Sequence, residues 1–185
     1  AIEAHSTEGF ESRAAQENFS QKCLYDVAEA FKKYVPGFEN SYLSAIAALL
    51  GVRESRRIIG DYKVTLDDFN AARDFADTIG RGAMPAGAHT PDGVTMYVYD
   101  LEPGQSMTIP YRCMLPKGKD GILVAGRCVS YEAPVANCIR CMPQCMVMGE
   151  AAGTAAAIAI KDGVTVRNVN ISKLQKNLEE HNVIL

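Results

Sequence analysis

Two neighbouring stretches of the chain decide the fold. The first reads ILVAGRCVS at residues 122–130, and the second reads RCMPQCMVMGEAAGTAAAIAIK at residues 140–161. A short apolar run that ends in Gly126 is typical of a strand buried on both faces. The second stretch has the length of a long helix, and its centre consists almost entirely of glycine and alanine. Because small side chains let a helix lie close to a sheet or a bound ligand, the pair predicts a buried strand followed by a helix whose backbone closely approaches one or the other.

The earlier part of the chain is dominated by helical periodicity. Apolar residues recur at spacings of three and four over residues 19–34, which predicts an amphipathic helix that stops at the following Pro-Gly pair. A second helix is expected over residues 41–50. Thr65, with Asp68 three residues later, resembles a capping box and predicts a helix over residues 65–79.

Shorter segments have strand character, and the expected strands cover residues 58–64, 94–99 and 107–109. Glycine and proline are concentrated in residues 80–93, which predicts a loop. Ser172 and Gln175 have the spacing of another capping box, so a short terminal helix is expected. Together these elements predict an α/β fold, with α+β character in the first part of the chain.

Composition and charge exclude several classes of protein. The chain has 185 residues, 48% of them hydrophobic and 22% charged, and its net charge is −3. These values are typical of a globular protein and argue against a nucleic-acid-binding surface. Residues 151–160 come closest to a long apolar run and are too few to span a membrane. No signal-peptide pattern is visible, so we expect a cytoplasmic protein with reduced thiols.

Cysteines cluster near the start of the long helix. Cys138, Cys141 and Cys145 have spacings that resemble half of a metal or iron–sulfur site, but four-ligand coordination would need a further thiolate from elsewhere. Free cysteine commonly behaves as a small buried hydrophobe. We therefore predict no metal, with an iron–sulfur site as the alternative.

The apolar run and the glycine- and alanine-rich helix form half of a nucleotide-binding arrangement. Ligands of open α/β sheets bind at the carboxyl ends of strands and at the N-termini of helices. The complete dinucleotide signature needs a Gly-x-Gly-x-x-Gly turn, which this sequence lacks. Periodicity alone therefore leaves two interpretations open, a ligand-facing helix and a tightly packed structural helix.

Several segments of the sequence also match motifs of a known protein family. The sequence GVRESRRIIGDY at residues 51–62 resembles a signature of the FAD-dependent oxidoreductase family that is often described beside the heterodisulfide reductases. Further segments match the same family in the same order, namely residues 36–39, 109–113, 115–118, 124–130 and 140–156. The resemblance covers residues 16–164.

Members of that family carry a glycine-rich FAD fingerprint ahead of the region that matches here. The resemblance therefore implies the C-terminal portion of a larger flavoprotein, in which residues 1–108 belong to a substrate-side cap. Residues 109–166 would be the C-terminal part of a Rossmann-like FAD-binding domain, and residues 167–185 would form a terminal helix. Such a portion would lack the ADP half of the FAD site, so we expect it to be inactive alone.

Within this resemblance, one set of residues is predicted to contact the flavin. Gly126 would let the backbone approach the ring, while Arg127 and the helix start near Met142 would face the pyrimidine edge. A cation or a helix dipole stabilises the negative charge that gathers there on reduction. Pro143 suits the first turn of that helix, so Arg140 is expected in the loop just before it. The predicted cofactor-binding residues are Gly126, Arg127, Arg140, Met142, Pro143, Gly149 and Ala152.

A second set is predicted to act on the substrate. Arg53 or Arg56 would clamp a substrate carboxylate or a flavin phosphate, although a solvated charged face explains either of them equally well. His89 is a candidate acid or base in a loop where the family tends to have an Asp-x-His motif. In this sequence Gly87 occupies the Asp position of that motif. A histidine at the surface without a catalytic role is the simpler interpretation. Tyr111 and Arg112 follow a proline at a strand end, a common place for site residues, and packing is an equal alternative for Tyr111.

The expected function is hydride transfer between an organic substrate and FAD. The alternatives are an iron–sulfur protein that transfers electrons and a non-catalytic binding or assembly domain. Expected partners are a small organic substrate and the upstream FAD-binding part of the same protein, without nucleic acid or membrane. We also expect copies to associate through an uncovered apolar face at residues 122–159.

Overall fold

The computed structural model describes residues 10–49, 51, 56–89 and 96–185, and it divides the chain into two compact units, residues 1–55 and 56–185. The functional division at residues 108 and 166 remains a prediction. In the described part of the chain, no helix is long and apolar enough to cross a membrane.

The first unit contains one long helix, α1 (Phe10–Tyr34). It ends where predicted, and the N–H of Val35 still donates to the carbonyl of Phe31 at 3.0 Å. The predicted helix over residues 41–50 is wrong, because residues 41–49 have no helical structure. A helix that short is marginal unless its apolar side chains are packed, and Tyr42 and Leu49 are exposed.

The second unit contains two small antiparallel sheets. In one, β1 (Thr78–Gly82) pairs with β4 (Met107–Pro110); in the other, β2 (Ala86–His89) pairs with β3 (Met96–Tyr99). The strands at β3 and β4 were predicted, whereas β1 and β2 occupy residues predicted as helix end and loop. Gly82 explains part of that error. A Cβ there would meet the Cys138 carbonyl oxygen at 2.7 Å, so this strand needs a glycine where the sequence suggests a loop.

The helix predicted over residues 65–79 is much shorter in the structure. Its start is confirmed: the Thr65 hydroxyl accepts from the Asp68 N–H at 3.2 Å, and the Asp68 carboxylate accepts from the Thr65 N–H at 2.9 Å. This helix, α2, covers Leu66–Asn70. It ends there because the chain turns at Ala72, which has a φ of 44°.

The long helix predicted at residues 140–161 is α4 (Met142–Asp162), preceded by the one-turn helix α3 (Ala136–Arg140). Pro143 lies in the first turn of α4 as predicted, whereas Arg140, expected in a loop before the helix, is the last residue of α3. The terminal helix, α5 (Ile171–Glu180), is capped by Asn170, whose side chain accepts from the Lys173 N–H at 3.0 Å. The predicted Ser172 cap is therefore wrong.

Two predicted strands do not form ladders. Residues 58–64 contribute only the isolated bridges from Gly60 to Pro116 and from Val64 to Tyr131. Residues 122–125 are not a strand; the N–H of Val124 donates to the Met114 carbonyl at 2.9 Å. A buried strand needs neighbours on its edges to pair its backbone groups. Among the described residues no strand lies alongside 122–125.

The core of the second unit lies between the β1–β4 sheet, α4 and α5. Fully buried members from these elements are Ile79, Met107, Ile109, Met148, Ala151, Ala155, Leu174 and Leu178. The mixture of helices and small sheets confirms the α/β fold class, whereas the Rossmann-like assignment remains a prediction because both sheets of the described residues are antiparallel.

Candidate functional site

The loop after residues 122–125 turns sharply at Gly126. Its φ is +84°, a left-handed conformation that favours glycine, and its carbonyl accepts from the Val129 N–H at 3.3 Å. The Tyr131 hydroxyl donates to the Arg127 carbonyl at 2.7 Å and fixes the other side of the turn. A Cβ on Gly126 would have the Cys145 Sγ as its nearest neighbour, at 3.9 Å. The protein therefore leaves open space in front of this turn.

The N-terminal end of α4 lies beside that space. Cys141 occupies the N-cap position, and its side chain makes no capping hydrogen bond to the first turn. The side chain of Gln144 is buried in this turn: its Nε2 donates to the Arg81 carbonyl at 3.1 Å, and its Oε1 has no hydrogen-bond partner among the described residues. The uncapped N–H groups and the positive end of the helix dipole favour an electron-rich ligand.

The small residues of α4 divide between two faces. Ala151 and Ala155 are fully buried in the core. Gly149 and Gly153 are exposed, and nothing lies within 4 Å of the Cβ that either would carry. Ala152 is half-buried between these faces. One face of the helix thus packs internally, and the other is an open surface with little side-chain bulk.

Exposed apolar side chains continue that open face. Met142, Met146 and Ile160 are 80%, 74% and 84% exposed. Together with Gly149 and Gly153, these residues follow one another along α4 at intervals of four, three, four and seven positions. Such intervals place them on one side of the helix. One side of α4 therefore carries exposed apolar side chains, and the association of copies through residues 122–159 remains a prediction.

Several arginines belong to segments near the Gly126 turn. Arg127 is exposed, and Arg140 donates from Nη2 to the Asn137 side-chain oxygen at 2.7 Å. Arg56 is also exposed. Its neighbour Arg57 places its guanidinium 5.0 Å from the Tyr131 ring centroid, and the Ile58 N–H donates to the Cys128 carbonyl at 2.9 Å. Residues 56–58 therefore run beside the turn.

Tyr111 and Arg112, the predicted substrate residues after β4, make extensive contacts within the protein. The buried Tyr111 hydroxyl donates to the Val166 carbonyl at 2.8 Å, and burial raises the pKa of Tyr111 to about 12. Arg112 forms a bidentate pair with Asp77, at 2.9 and 3.1 Å, which raises the pKa of Arg112. The contacts of Tyr111 favour the packing alternative, and the site role of Arg112 remains a prediction.

Two predicted substrate residues are not fully described. Arg53 lies outside the described residues. His89 is the last residue of β2, where it pairs with Met96. The side chain of His89 lies outside the described part of the structure. Gly87, which replaces the acidic partner of the family motif, pairs with Val98 in the same sheet.

All six cysteines are free thiols; Cys23 is half-buried on α1, and the five of the second unit lie in two environments. Cys113 and Cys138 are buried, and burial raises the pKa of each thiol to about 12. Cys128, Cys141 and Cys145 are half-buried around the Gly126 turn. Within residues that the structure describes, no three histidine, cysteine or acidic side chains are placed to hold a metal ion.

Two features of this site were not predicted from the sequence. The buried Gln144 carries no local signal, because a glutamine in a first helical turn is ordinary. The approach of the Cys145 Sγ to Gly126 depends on a packing contact between residues 19 positions apart, which no spacing rule reveals.

The comparisons with known proteins bear on the same residues. No curated protein and no solved structure matches the chain. The family model described as FAD dependent oxidoreductase matches residues 1–178, nearly the whole chain. This match confirms the resemblance to the family and gives the chain a flavin-linked redox function, while the narrower likeness to the heterodisulfide reductases remains a prediction. The chain belongs to the FAD-dependent oxidoreductase family.

Proposed function

We propose that this chain forms one wall of a flavin site, and that the Gly126 turn and the start of α4 lie against the isoalloxazine ring. The observation that carries this proposal is the open space in front of Gly126, next to an uncapped helix N-terminus. A flat ring can approach a backbone that carries no side chain, and an electron-rich ring edge is stabilised by the N–H groups of a helix start.

The residues present fit such a ring. Met142 and Gly149 offer an apolar surface with little bulk, and Gly126 leaves the adjacent space clear. Arg127 is exposed beside them and adds a cation. When bound, the flavin supplies the hydride acceptor and donor of the reaction.

The protein contributes orientation and charge. The N-terminal end of α4 stabilises negative charge by about 0.3–1 kcal/mol at an exposed position, and up to ~2 kcal/mol where water is partly excluded. Arg127 adds to that stabilisation, and Arg140 is held in place through its hydrogen bond to Asn137. Both effects favour the reduced, more negative flavin.

The adenosine half of FAD has no evident place in the described residues. The sequence lacks the Gly-x-Gly-x-x-Gly turn, and both described sheets are antiparallel pairs of strands. We therefore propose that the chain is the C-terminal portion of a larger flavoprotein, whose other part holds the adenosine. The separate 185-residue chain is then expected to be inactive.

The proposed reaction is hydride transfer between a small organic substrate and the flavin. Arg56 supports a substrate-side role because it lies on the segment that runs beside the Gly126 turn. Planar guanidinium groups bind carboxylates bidentately, so we propose Arg56 as the clamp, with Arg53 as the alternative. His89 remains the proposed acid or base.

The test uses the polypeptide that the gene encodes when any sequence preceding Ala1 is included. We expect it to purify with the visible absorption of oxidised flavin. Replacement R127A should weaken FAD binding about tenfold, the effect of one charge-assisted hydrogen bond of about 1.5 kcal/mol. Replacement K161A removes an exposed cation at the far end of α4 and serves as the matched control. A polypeptide without flavin would refute the flavin wall, and equal effects of the two variants would remove Arg127 from it.

A further inference from the structure

Two half-buried thiols, Cys141 and Cys145, lie at the junction between α3 and α4. The Cys141 Sγ donates to the Asn137 carbonyl at 3.0 Å, and the Cys145 Sγ donates to the Arg140 carbonyl at 3.3 Å. Both carbonyls belong to the single turn of α3. Both sulfur atoms therefore lie against the backbone of α3.

The backbone holds these residues one helical turn apart. The Cys145 N–H donates to the Cys141 carbonyl at 2.9 Å. Residues with that spacing have Cβ atoms about 5–6 Å apart, whereas a disulfide needs about 3.5–4.5 Å. Cys141 is the N-cap, with a non-helical ψ of 154°, so it can close the difference without unwinding α4.

We propose that Cys141 and Cys145 form a redox-active dithiol that low-molecular-weight disulfides, such as oxidised glutathione, convert to an intrachain disulfide. This inference does not depend on flavin binding. Both thiols are half-buried, so a small reagent can reach them, unlike the buried Cys113 and Cys138.

The reaction takes place by two exchanges. The Cys141 thiolate attacks one sulfur of the small disulfide, forms a mixed disulfide and releases one thiolate. The Cys145 thiolate then attacks the Cys141 sulfur, closes the intrachain bond and releases the second thiolate. The protein loses two electrons and two protons, and the small disulfide gains them as two thiols.

Cys145 is assigned the second step because its surroundings disfavour its thiolate. Burial, with smaller contributions from Cys141 and Cys128, raises the pKa of Cys145. A thiol with a raised pKa carries less thiolate at neutral pH and attacks small reagents slowly. Attack on a mixed disulfide already held one turn away is intramolecular, so a small thiolate fraction suffices.

Oxidation would alter the Gly126 turn. The Cys145 Sγ is the nearest atom to the position of a Cβ on Gly126, and a bond to Cys141 would draw it toward the N-cap. The thiol state would thus change the space beside the turn. In the proposed flavin site, this movement would change the surroundings of the ring.

The test treats the chain with oxidised glutathione, blocks the remaining thiols and maps disulfides by trypsin digestion and mass spectrometry. Trypsin cleaves after lysine and arginine, so it separates the fragment 128–140, with Cys128 and Cys138, from the fragment 141–161, with Cys141 and Cys145. We expect the fragment 141–161 to lose two hydrogens. A bond between the two fragments, glutathione adducts alone, or no oxidation would each overturn the proposal.

Serine variants sharpen this test. In C145S the second exchange is blocked, so a stable glutathione adduct should accumulate on Cys141. C128S is the matched control, because it removes a neighbouring half-buried thiol and should leave the disulfide in fragment 141–161 unchanged. Loss of the disulfide in C128S would assign the reactive pair to other residues and refute the proposed dithiol.

Discussion

Replacing Gly126 by alanine tests whether the cost of a side chain at this position comes from the backbone conformation or from a lack of space. The added methyl group would meet only the Cys145 Sγ at 3.9 Å, an ordinary contact. The cost therefore comes from the φ of +84°, which is about 1–2 kcal/mol for a residue with a Cβ in the left-handed region. We expect G126A to lower the free energy of unfolding of the second unit by that amount.

Gly153 supplies the matched control. It lies inside α4, is exposed, and has nothing within 4 Å of a Cβ position. Alanine is better than glycine in a helix interior by about 0.5–1 kcal/mol, so G153A should stabilise the protein. The same chemical change thus has opposite signs at two positions.

Urea denaturation followed by near-ultraviolet circular dichroism measures both variants. The chain has eight tyrosines and no tryptophan, and the buried Tyr111 and Tyr131 report on the packing of the second unit. A G126A variant as stable as the parent would refute the left-handed turn. A destabilised G153A variant would show that the outer face of α4 is covered.

Three further predictions concern contacts that hold the second unit together. T65A should lower the free energy of unfolding by about 1 kcal/mol, because it removes the side-chain half of the capping box; thermal unfolding checks this, and an unchanged melting temperature would contradict the cap. R112A leaves the carboxylate of Asp77 without its bidentate partner, so we expect it to lower the free energy of unfolding by about 1–3 kcal/mol. D77N keeps one acceptor and should lower it by less. If urea titrations show the reverse order, the Arg112–Asp77 pair does not form. Burial raises the pKa values of Cys113 and Cys138 from 9.0 to about 12, so folding favours the neutral thiols. Their contribution to the free energy of unfolding is therefore complete below pH 9 and should be lost as the pH rises toward 12. If urea titrations show a constant free energy of unfolding over that interval, the two thiols are not buried.

Local signals were predicted correctly from the sequence. Thr65 and Asp68 lie three residues apart, and their capping box needs nothing from the rest of the fold. Pro143 at the start of α4 and the end of α1 before the Pro-Gly pair are equally local. Such features depend on the preferences of a few neighbouring residues, which a sequence displays directly.

Features that depend on distant contacts were not predictable in this way. Gly82 is required in β1 by the carbonyl of Cys138, yet a glycine ordinarily suggests a loop. Arg112 was recognised as a candidate, but its partner Asp77 lies 35 residues away. Residues 122–125 have the composition of a buried strand, and composition carries no information on which strands lie alongside.

Protection of Cys145 by FAD tests the central claim most directly. The Cys145 Sγ is the nearest side-chain atom to the open space at Gly126, so a ring bound there should shield it. In the polypeptide that the full gene encodes, iodoacetamide labelling of Cys145 should slow when FAD is present, while labelling of Cys23 on α1 should not change. Equal labelling of Cys145 with and without FAD, in protein shown to bind it, would contradict a flavin at this turn.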